Sequence, residues 1–299
     1  MTHKKIQISV IIVTYNSEKH IYDCLSSIYH NNDIGDLLEV IIVDNDSHNQ
    51  TLMFESVSQL YPQIRLIDNP QNEGYGQGNN IGVKNSFGDI ILIMNPDVRM
   101  VEPIFKRVIE YFEHNAGVAL LGMKQWHERG KEGLSFDVDS SYSFLNPVLC
   151  AIKSRVYNRF NIFDNRDMYI NGSCFFIRKQ PFIRVGMFDE NIFMYCEEKD
   201  LNRRLKDHGY KISFDKDMSY FHLVRGRSLS YDEFKRTLDS ELYYYRKNNL
   251  DEITCLKKKL LQYKFMYFLN RIRFMSQANI SLGKAIHECK HRIDEIKKQ

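Results

Sequence analysis

The sequence predicts an α/β fold in which helices flank a mostly parallel β-sheet. Segments rich in β-branched residues alternate along the chain with segments whose apolar residues recur at helical spacing. Such alternation is typical of parallel sheets, because each crossover between parallel strands needs a helix-length connection. In addition, polar residues directly follow three of the predicted strands, at the edge where ligands bind in sheets of this kind.

The order of elements divides the chain into a main domain and an extension. Strands are predicted at 6–14, 38–43, 64–67, 89–94, 118–123 and 169–177, and as short segments toward His222. Helices are predicted at 17–28, around 52–60, after Gly78, at 103–114 and at 197–208. Residues 124–166 lose clear periodicity. We place the main domain at 1–230, with halves at about 1–123 and 124–230, and a helical extension at 231–299.

Composition excludes several classes of partner. The formal net charge of +3, from 41 Lys and Arg against 38 Asp and Glu, is too small to indicate nucleic acid as a general partner. Six scattered cysteines without a C-x-x-C pair favour reduced thiols in the cytosol. No apolar stretch approaches the roughly 20 residues that span a bilayer, so we expect membrane contact, if any, to be peripheral. The apolar run near the start is interrupted by Gln7 and Ser9, which favours a first buried strand over a signal peptide.

Asp97 and His222 are candidate metal ligands. Asn95-Pro96-Asp97 follows a buried strand, so the Asp97 carboxylate emerges where a hard cation could bridge diphosphate oxygens. Taken alone, such an aspartate is more often a turn former or a helix cap. A lone histidine such as His222 is likewise more often structural, and only its partnership with Asp97 indicates a metal site.

Other strand ends supply candidate contacts to a nucleotide. Asp44 and Asn45 could hydrogen-bond a base or ribose, or form an Asx turn. Tyr15, between Thr14 and Asn16, could stack on a base or be half-buried. Residues 72–82 are rich in glycine and amides before a predicted helix, so their backbone N–H groups could meet phosphate, although the pattern is not a P-loop.

Adjacent glutamates open the helix predicted at 197–208. Glu197 and Glu198 could stand there because acidic residues suit a helix N-terminus. Alternatively, one of them takes a proton from a hydroxyl, since neighbouring carboxylates raise one pKa by repulsion. We choose Glu198 as this base.

Together these motifs closely resemble family 2 glycosyltransferases, most of all bacterial rhamnosyltransferases and galactofuranosyltransferases. The resemblance covers about 6–250 and follows the family order of motifs. The motifs are IIVTYN at 11–16, IVDN at 42–45, residues 72–82, NPDV at 95–98, GMFDE at 186–190, FMYCEEKDL at 193–201 and residues 222–228. The sequence departs from the family pattern at Asn95, which replaces a carboxylate, and at Glu198, where Asp is common.

The resemblance implies a GT-A fold, an inverting displacement and assignments for the site residues. Mg²⁺ or Mn²⁺ would be held by Asp97 and His222, and Glu198, with Glu197 beside it, would be the catalytic base. Acceptor contacts would come from Asp189, Glu190 and Asp200. The implied donor-binding residues are Thr14, Tyr15, Asn16, Asp44, Asn45, Gly74, Asn79, Asn80, Asn95 and Asp97.

The implied substrates are a nucleoside-diphosphate sugar and a glycan or polyprenyl-diphosphate-linked acceptor of O-antigen or capsule assembly. Our leading donor is dTDP-L-rhamnose, and the alternative is a UDP-sugar carrying galactofuranose, glucose or an N-acetylhexosamine. Acceptor-specific contacts are expected in residues 124–166. A non-catalytic nucleotide-sugar binder stays open because of Asn95. A nucleotidyltransferase fits less well, because residues 14–19 hold no glycine. A glycoside hydrolase also fits less well, because Glu197 and Glu198 are sequence neighbours that diverge on a helix.

The extension presents an apolar stripe and a basic face. The stripe consists of Ile253, Leu256, Leu260, Tyr263 and Tyr267, and the basic residues are Lys257, Lys258, Lys259, Lys264, Arg271 and Arg273. Such a helix could lie on anionic lipid at the inner face of the plasma membrane. The alternative is that the extension packs on the main domain or forms a homodimer.

Overall fold

A computed structural model describes residues 5–127, 130–141, 147–223, 231–272 and 276–298. The strands are β1 (Ile8–Thr14), β2 (Leu38–Asn45), β3 (Arg65–Asn69), β4 (Ile90–Met94), β5 (Val98–Met100), β6 (Val118–His127), β7 (Lys131–Glu132), β8 (Phe136–Val138), β9 (Met168–Ile170), β10 (Cys174–Arg178) and β11 (Lys211–His222). The helices are α1 (Glu18–His30), α2 (Gln50–Leu60), α3 (Tyr75–Lys84), α4 (Phe105–His114), α5 (Pro147–Arg159), α6 (Lys179–Arg184), α7 (Glu197–Asp207), α8 (Tyr231–Lys247), α9 (Glu252–Ile272) and α10 (Ser276–Ile296). A 3₁₀ turn, Gly35–Leu37, precedes β2.

One large sheet forms the centre of the molecule. Its strands lie in the order β3-β2-β1-β4-β10-β6-β11-β5, with β7 paired to β6, and β8 and β9 form a separate two-stranded antiparallel sheet. Strands β3, β2, β1 and β4 are parallel, β10 is antiparallel to both of its neighbours, and β11 is parallel to β6. The expected mostly parallel sheet flanked by helices is therefore confirmed.

The alternation of side chains along β1 explains why this sheet is covered on both faces. Ile8, Val10 and Ile12 contribute to one hydrophobic cluster, whereas Ile11 and Val13 contribute to the other. Helix α1 buries Ile21, Cys24, Leu25 and Ile28 against the first cluster, at the spacing of one helical face. Helices α3, α6 and α7 pack on the opposite face through residues such as Val83, Phe182 and Leu201.

Three details of the expected secondary structure are wrong. Helix α3 begins at Tyr75 rather than after Gly78, so Gly76, Gly78 and Gly82 are helical. The region 124–166 contains the regular helix α5. Finally, β11 is one long strand with an irregularity between Asp215 and Ser219, where several short strands were expected. In each case long-range packing decides a state that the local pattern leaves ambiguous.

The C-terminal helices pack on the main domain. Ile192 and Cys196 share a buried cluster with residues of α8, α9 and α10, including Leu256, and Ile253, Leu260 and Tyr263 lie against it. Most of the predicted apolar stripe of α9 thus faces protein, whereas Tyr267 is 36% exposed. Arg273 and the boundary near Ser230 lie outside the described residues. Within the described part of the chain, no helix is long and apolar enough to cross a bilayer.

Candidate active site

Asp97 and His222 lie side by side at one edge of the sheet. Strand β5 starts directly after Asp97 and pairs antiparallel with β11, which places Val98 opposite His222. As a result, Asp97 Oδ1 lies 3.3 Å from His222 Nε2, and the backbone N–H of Leu223 donates to the Asp97 carbonyl at 3.0 Å. Burial alone would raise the pKa of Asp97, but the hydrogen bond and charge of His222 outweigh it and lower that pKa. The pair therefore presents an ionised carboxylate.

Nearby polar atoms without partners fit a divalent cation at this pair. Asn95 Oδ1 and His222 Nδ1 are buried and have no hydrogen-bond partner among the described residues. A carboxylate, an imidazole and an amide oxygen are all ligands that Mg²⁺ or Mn²⁺ accepts. Within the described residues, no group of three or more His, Cys, Asp or Glu side chains could hold an ion by itself. A cation at Asp97 and His222 would therefore need oxygens from a ligand such as a diphosphate.

The segment 171–173 connects this pair to the glutamates of α7. Asn95 donates its backbone N–H to the Ser173 carbonyl at 2.9 Å, and the Tyr75 hydroxyl donates to the Gly172 carbonyl at 2.8 Å. A Cβ atom added to Gly172 would lie 3.4 Å from Glu198 Cβ and 3.5 Å from its carboxyl carbon. Glu198 thus lies against the same short segment that holds Asn95 in place.

Glu197 and Glu198 occupy different environments although they are adjacent. The buried Glu197 carboxylate accepts a hydrogen bond from the Cys196 backbone N–H at 2.9 Å, whereas Glu198 is half-buried. Burial and the charge of Glu198 raise the pKa of Glu197 to about 8. Burial, with a contribution from Asp137, also raises the pKa of Glu198. Burial therefore opposes ionisation of both carboxyls, which titrate together because they are adjacent.

The loops after β1 and β2 are tied together by Asp44. Its buried carboxylate accepts hydrogen bonds from Thr14 Oγ1 and Ser47 Oγ, both at 2.7 Å, and from the Ser47 N–H at 2.8 Å. Asn16 adopts a left-handed φ of 51°, which turns the chain sharply and leaves the Tyr15 side chain 50% exposed. Tyr15 is thus exposed to solvent at the strand end, whereas Thr14 and Asp44 hydrogen-bond within the protein.

The residues predicted to bind the donor around α3 also make hydrogen bonds within the protein. Asn45 Nδ2 donates to the Gly74 carbonyl at 3.0 Å. Asn80 is buried. Its Nδ2 donates to the Phe188 carbonyl and to Glu190 Oε1, and its Oδ1 accepts from the Phe188 backbone N–H. Asn79 donates to the Tyr75 carbonyl at 2.9 Å. Residues 75–82 of the expected glycine-rich loop are helical, so only residues 72–74 precede the helix.

The acidic residues predicted to contact the acceptor are engaged with protein cations. Lys247 Nζ of α8 lies 2.6 Å from Asp189 Oδ2 and 2.7 Å from Asp200 Oδ1. Arg204 Nε donates to the second oxygen of Asp200 at 2.7 Å. Glu190 Oε1 accepts from Asn80 and lies 3.6 Å from Lys84 Nζ. These carboxylates anchor α8 and α3, and their contact with an acceptor stays a prediction.

Sequence reasoning missed several residues of this region. His20 contributes to the lowered pKa of Asp97, which places its imidazole near the candidate metal pair. Gly172, Ser173 and Tyr75 link the two halves of the site. Tyr75 lies within the motif at 72–82, but His20, Gly172 and Ser173 lie in none of the motifs named above and are identified only by their neighbours in the structure.

Comparison with known proteins identifies the family of this chain. A model of the family described as "Glycosyl transferase family 2" matches residues 9–186, more than half of the chain. Rhamnosyltransferase WbbL of Escherichia coli K12 is 24% identical over 254 residues, 81% of this chain and 93% of WbbL. The N-acetylglucosaminyl-diphospho-decaprenol L-rhamnosyltransferase of Mycobacterium tuberculosis H37Rv is 25% identical over 232 residues, 67% of this chain and 71% of that protein. The chain spans only 59% of the hexosyltransferase Agl10 of Haloferax volcanii, with 24% identity over 196 residues, 64% of this chain.

A solved structure shows the same fold. The mannosyltransferase PcManGT from Pyrobaculum calidifontis, in complex with GDP-Man and Mn²⁺, superposes with a TM-score of 0.59 at 14% identity. The superposition covers 97% of this chain and 76% of PcManGT. The expected GT-A architecture with C-terminal helices is confirmed.

Proposed function

The chain belongs to glycosyl transferase family 2, and we propose that it moves a sugar from a nucleoside-diphosphate donor to a saccharide hydroxyl with inversion. The observation that carries this proposal is the connection from Asp97 and His222 through Asn95 and Ser173 to Glu198. A leaving diphosphate and an incoming hydroxyl need a cationic and a basic group on either side of the reacting carbon. The two ends of this connection supply them.

Asp97 and His222 are proposed to hold Mg²⁺ or Mn²⁺ together with donor phosphate oxygens. Such an ion, when bound, neutralises the charge that develops on the departing diphosphate. Asn95 Oδ1, buried without a partner among the described residues, is positioned to complete the ligand set. Tyr15, exposed at the end of β1, is proposed to stack on the base, with Asn16 beside it.

Glu198 is proposed to take the proton of the acceptor hydroxyl as that oxygen attacks the anomeric carbon from the face opposite the diphosphate. Glu197, the more deeply buried of the two, is proposed to keep its proton, so that Glu198 carries the negative charge that a base requires. Because the attack inverts the anomeric centre in one step, no covalent sugar intermediate is formed.

The leading donor is dTDP-L-rhamnose, supported by the names of two relatives, with a UDP-sugar as the alternative. The proposed acceptor is a glycan or a polyprenyl-diphosphate-linked saccharide, supported by the decaprenol-linked acceptor in the name of the mycobacterial relative. We place the reaction in O-antigen or capsule assembly, on the cytoplasmic side of the plasma membrane.

A donor screen with the purified protein tests this function. The protein is incubated with each nucleoside-diphosphate sugar, with and without Mn²⁺, while release of the nucleoside diphosphate and thermal stabilisation are followed. We expect one donor to stabilise the protein in the presence of metal and to be turned over when a saccharide acceptor is added. Stabilisation without turnover by any donor or acceptor would instead indicate a nucleotide-sugar binding protein.

A further inference from the structure

Helix α5 presents an apolar stripe to solvent. Leu149, Ile152, Val156 and Phe160 recur at helical spacing along it and its C-terminal end, and all four are exposed, Phe160 at 68%. A monomeric protein rarely leaves such a stripe uncovered. The opposite side of α5 is buried through Cys150, Ser154 and Asn158, so the helix orientation is fixed by its own packing.

Helix α9 extends this surface. Leu261, Phe265 and Phe268 follow one face of α9 and are exposed, at 46%, 39% and 59%. Ile152 of α5 and Phe265 and Met266 of α9 line the same cavity of about 360 Å³, which connects the two exposed stripes. We call this combined surface the α5/α9 face. It differs from the stripe that the sequence indicated, of which Ile253, Leu256, Leu260 and Tyr263 pack against protein.

Cations predominate among the exposed charges of the α5/α9 face, whereas Asp137, Asp139 and Glu241 line the cavity between the two helices. Helix α5 contains no acidic residue, and α9 contains only Glu252, which pairs with Arg246 at 3.0 Å. Exposed cations with no ion pair among the described residues border the apolar stripes: Arg155, Lys257, Lys264 and Arg271. Neighbouring carboxylates are already neutralised, since Asp167 pairs with Lys153 and Glu132 with Lys124 and Arg159.

We propose that the α5/α9 face docks the protein on an anionic phospholipid surface. Exposed phenylalanines and aliphatic side chains would enter the boundary between headgroups and acyl chains, and the surrounding lysines and arginines would contact the lipid phosphates. A second copy of this chain fits less well, because a symmetric contact through this face would bring cations against cations without facing carboxylates.

Docking in this orientation would bring the bilayer to the acceptor side of the site. The cavity below the face is also lined by Tyr169 and Lys199. Tyr169 lies in β9, just before the segment 171–173, and Lys199 follows Glu198 in α7. Its outer lining includes the exposed residues Leu134, Ile152 and Phe265. This inference rests on the proposed lipid-linked acceptor for its purpose, but vesicle binding is measured without any transfer reaction.

Vesicle pelleting with the full chain tests the proposal. We expect the protein to pellet with vesicles of equal parts phosphatidylglycerol and phosphatidylcholine, and much less with pure phosphatidylcholine. The double variant Phe265→Glu with Phe268→Glu should lower the affinity for the anionic vesicles at least about tenfold, because it places charge where acyl chains would lie. Its matched control carries Leu52→Glu and Leu60→Glu on α2, two exposed leucines on another helix, and should pellet like the wild type.

A second pair of variants tests the cations and remains informative if the first variant fails to fold. Reversing Lys264 and Arg271 to Glu should lower vesicle affinity by a similar factor, whereas reversing the exposed Lys211 and Lys216 to Glu should not. Thermal stabilisation by the donor should be unchanged in all variants, which separates this proposal from the proposed function. The proposal is overturned if the wild type ignores anionic vesicles, if both pairs lose binding equally, or if Phe265→Glu with Phe268→Glu merely converts a dimer to a monomer.

Discussion

His222 Nε2 lies 3.3 Å from Asp97 Oδ1, because antiparallel pairing of β5 with β11 places the ends of two distant segments side by side. If this pair holds the catalytic cation, Asp97→Asn and His222→Ala should each lower kcat/KM at least about 100-fold, since one ligand of the charge-neutralising ion is lost. Steady-state assays across a Mn²⁺ titration measure this. His208→Ala, at an exposed histidine after α7, is the matched control and should leave both the rate and the metal dependence unchanged. Wild-type rates in either site variant would exclude the metal assignment.

Replacing Glu198 by Gln should lower turnover by about 10²–10⁴, because the acceptor hydroxyl loses its base, while donor binding persists. Thermal stabilisation by donor and Mn²⁺ reports the binding, and nucleoside diphosphate release with acceptor reports the turnover. Glu113→Gln, at an exposed glutamate of α4, serves as the control. Equal turnover in both variants would remove Glu198 from the mechanism.

The acid limb of the pH–rate profile should lie above the ordinary glutamate value of 4.5. Burial raises the pKa of Glu198, and the base must be ionised to accept a proton, so activity falls as the pH drops through that raised pKa. A profile of kcat/KM against pH at saturating metal measures its midpoint. A midpoint at or below 4.5 would contradict the buried, coupled pair described for α7.

The Lys247 bridge should contribute to stability in a pH-dependent way. Replacing Lys247 by Met leaves the buried Asp200 and the Asp189 carboxylate with fewer partners, which should cost about 1–3 kcal/mol in the free energy of unfolding at neutral pH. Urea unfolding measures this cost, and Lys257→Met, at an exposed lysine of α9, is the control.

The loss of stability in acid should report the same salt bridge between Lys247 and Asp189. Burial opposes ionisation of Asp189, but the hydrogen bond from Lys247 and its other donors lower its pKa to about 2, from 3.8. A carboxyl whose pKa is lowered by folding stabilises the fold at any pH above its pKa in the unfolded chain. This contribution is lost as the pH falls from about 3.8 toward 2. The wild type should therefore lose more stability across that window than Lys247→Met does. Parallel acid sensitivity in the two proteins would show that Lys247 does not set this pKa.

Glycines of α3 should be intolerant of a methyl group where the helix meets the sheet. A Cβ atom at Gly82 would overlap the Ile11 side chain, and one at Gly78 would lie 2.8 Å from both Asn45 Oδ1 and Val13 Cγ1. Gly82→Ala should therefore destabilise the protein by about 1–3 kcal/mol, measured by urea unfolding. Gly283 in α10 has no atom within 4 Å of its added Cβ, so Gly283→Ala should be neutral or stabilise by up to about 1 kcal/mol. A larger loss of stability in Gly283→Ala than in Gly82→Ala would show that α3 does not pack as described.

Much of the fold is readable from local pattern. The β-branched run of β1 predicts a buried strand, and the spacing of Ile21, Cys24, Leu25 and Ile28 predicts an amphipathic helix. Both are readable because the spacing of apolar residues follows the period of the element that buries them. The position of Asp97 at a strand end was likewise predictable. The same reasoning could not detect that β10 runs antiparallel between β4 and β6, since strand direction is set by partners distant in the chain.

The sequence alone determined the α/β class, the strand-end position of Asp97 and the adjacent glutamates, because these depend on residue order over a few positions. Only the tertiary structure decided which hydrogen-bond donors and cations each carboxylate meets. Asp44 and Asp200 have the same side chain as Asp97, yet Thr14 and Ser47 occupy the first, and Arg204 and Lys247 the second. The role of a carboxylate depends on the donors that folding brings within about 3 Å of it, and those donors come from segments far away in the chain.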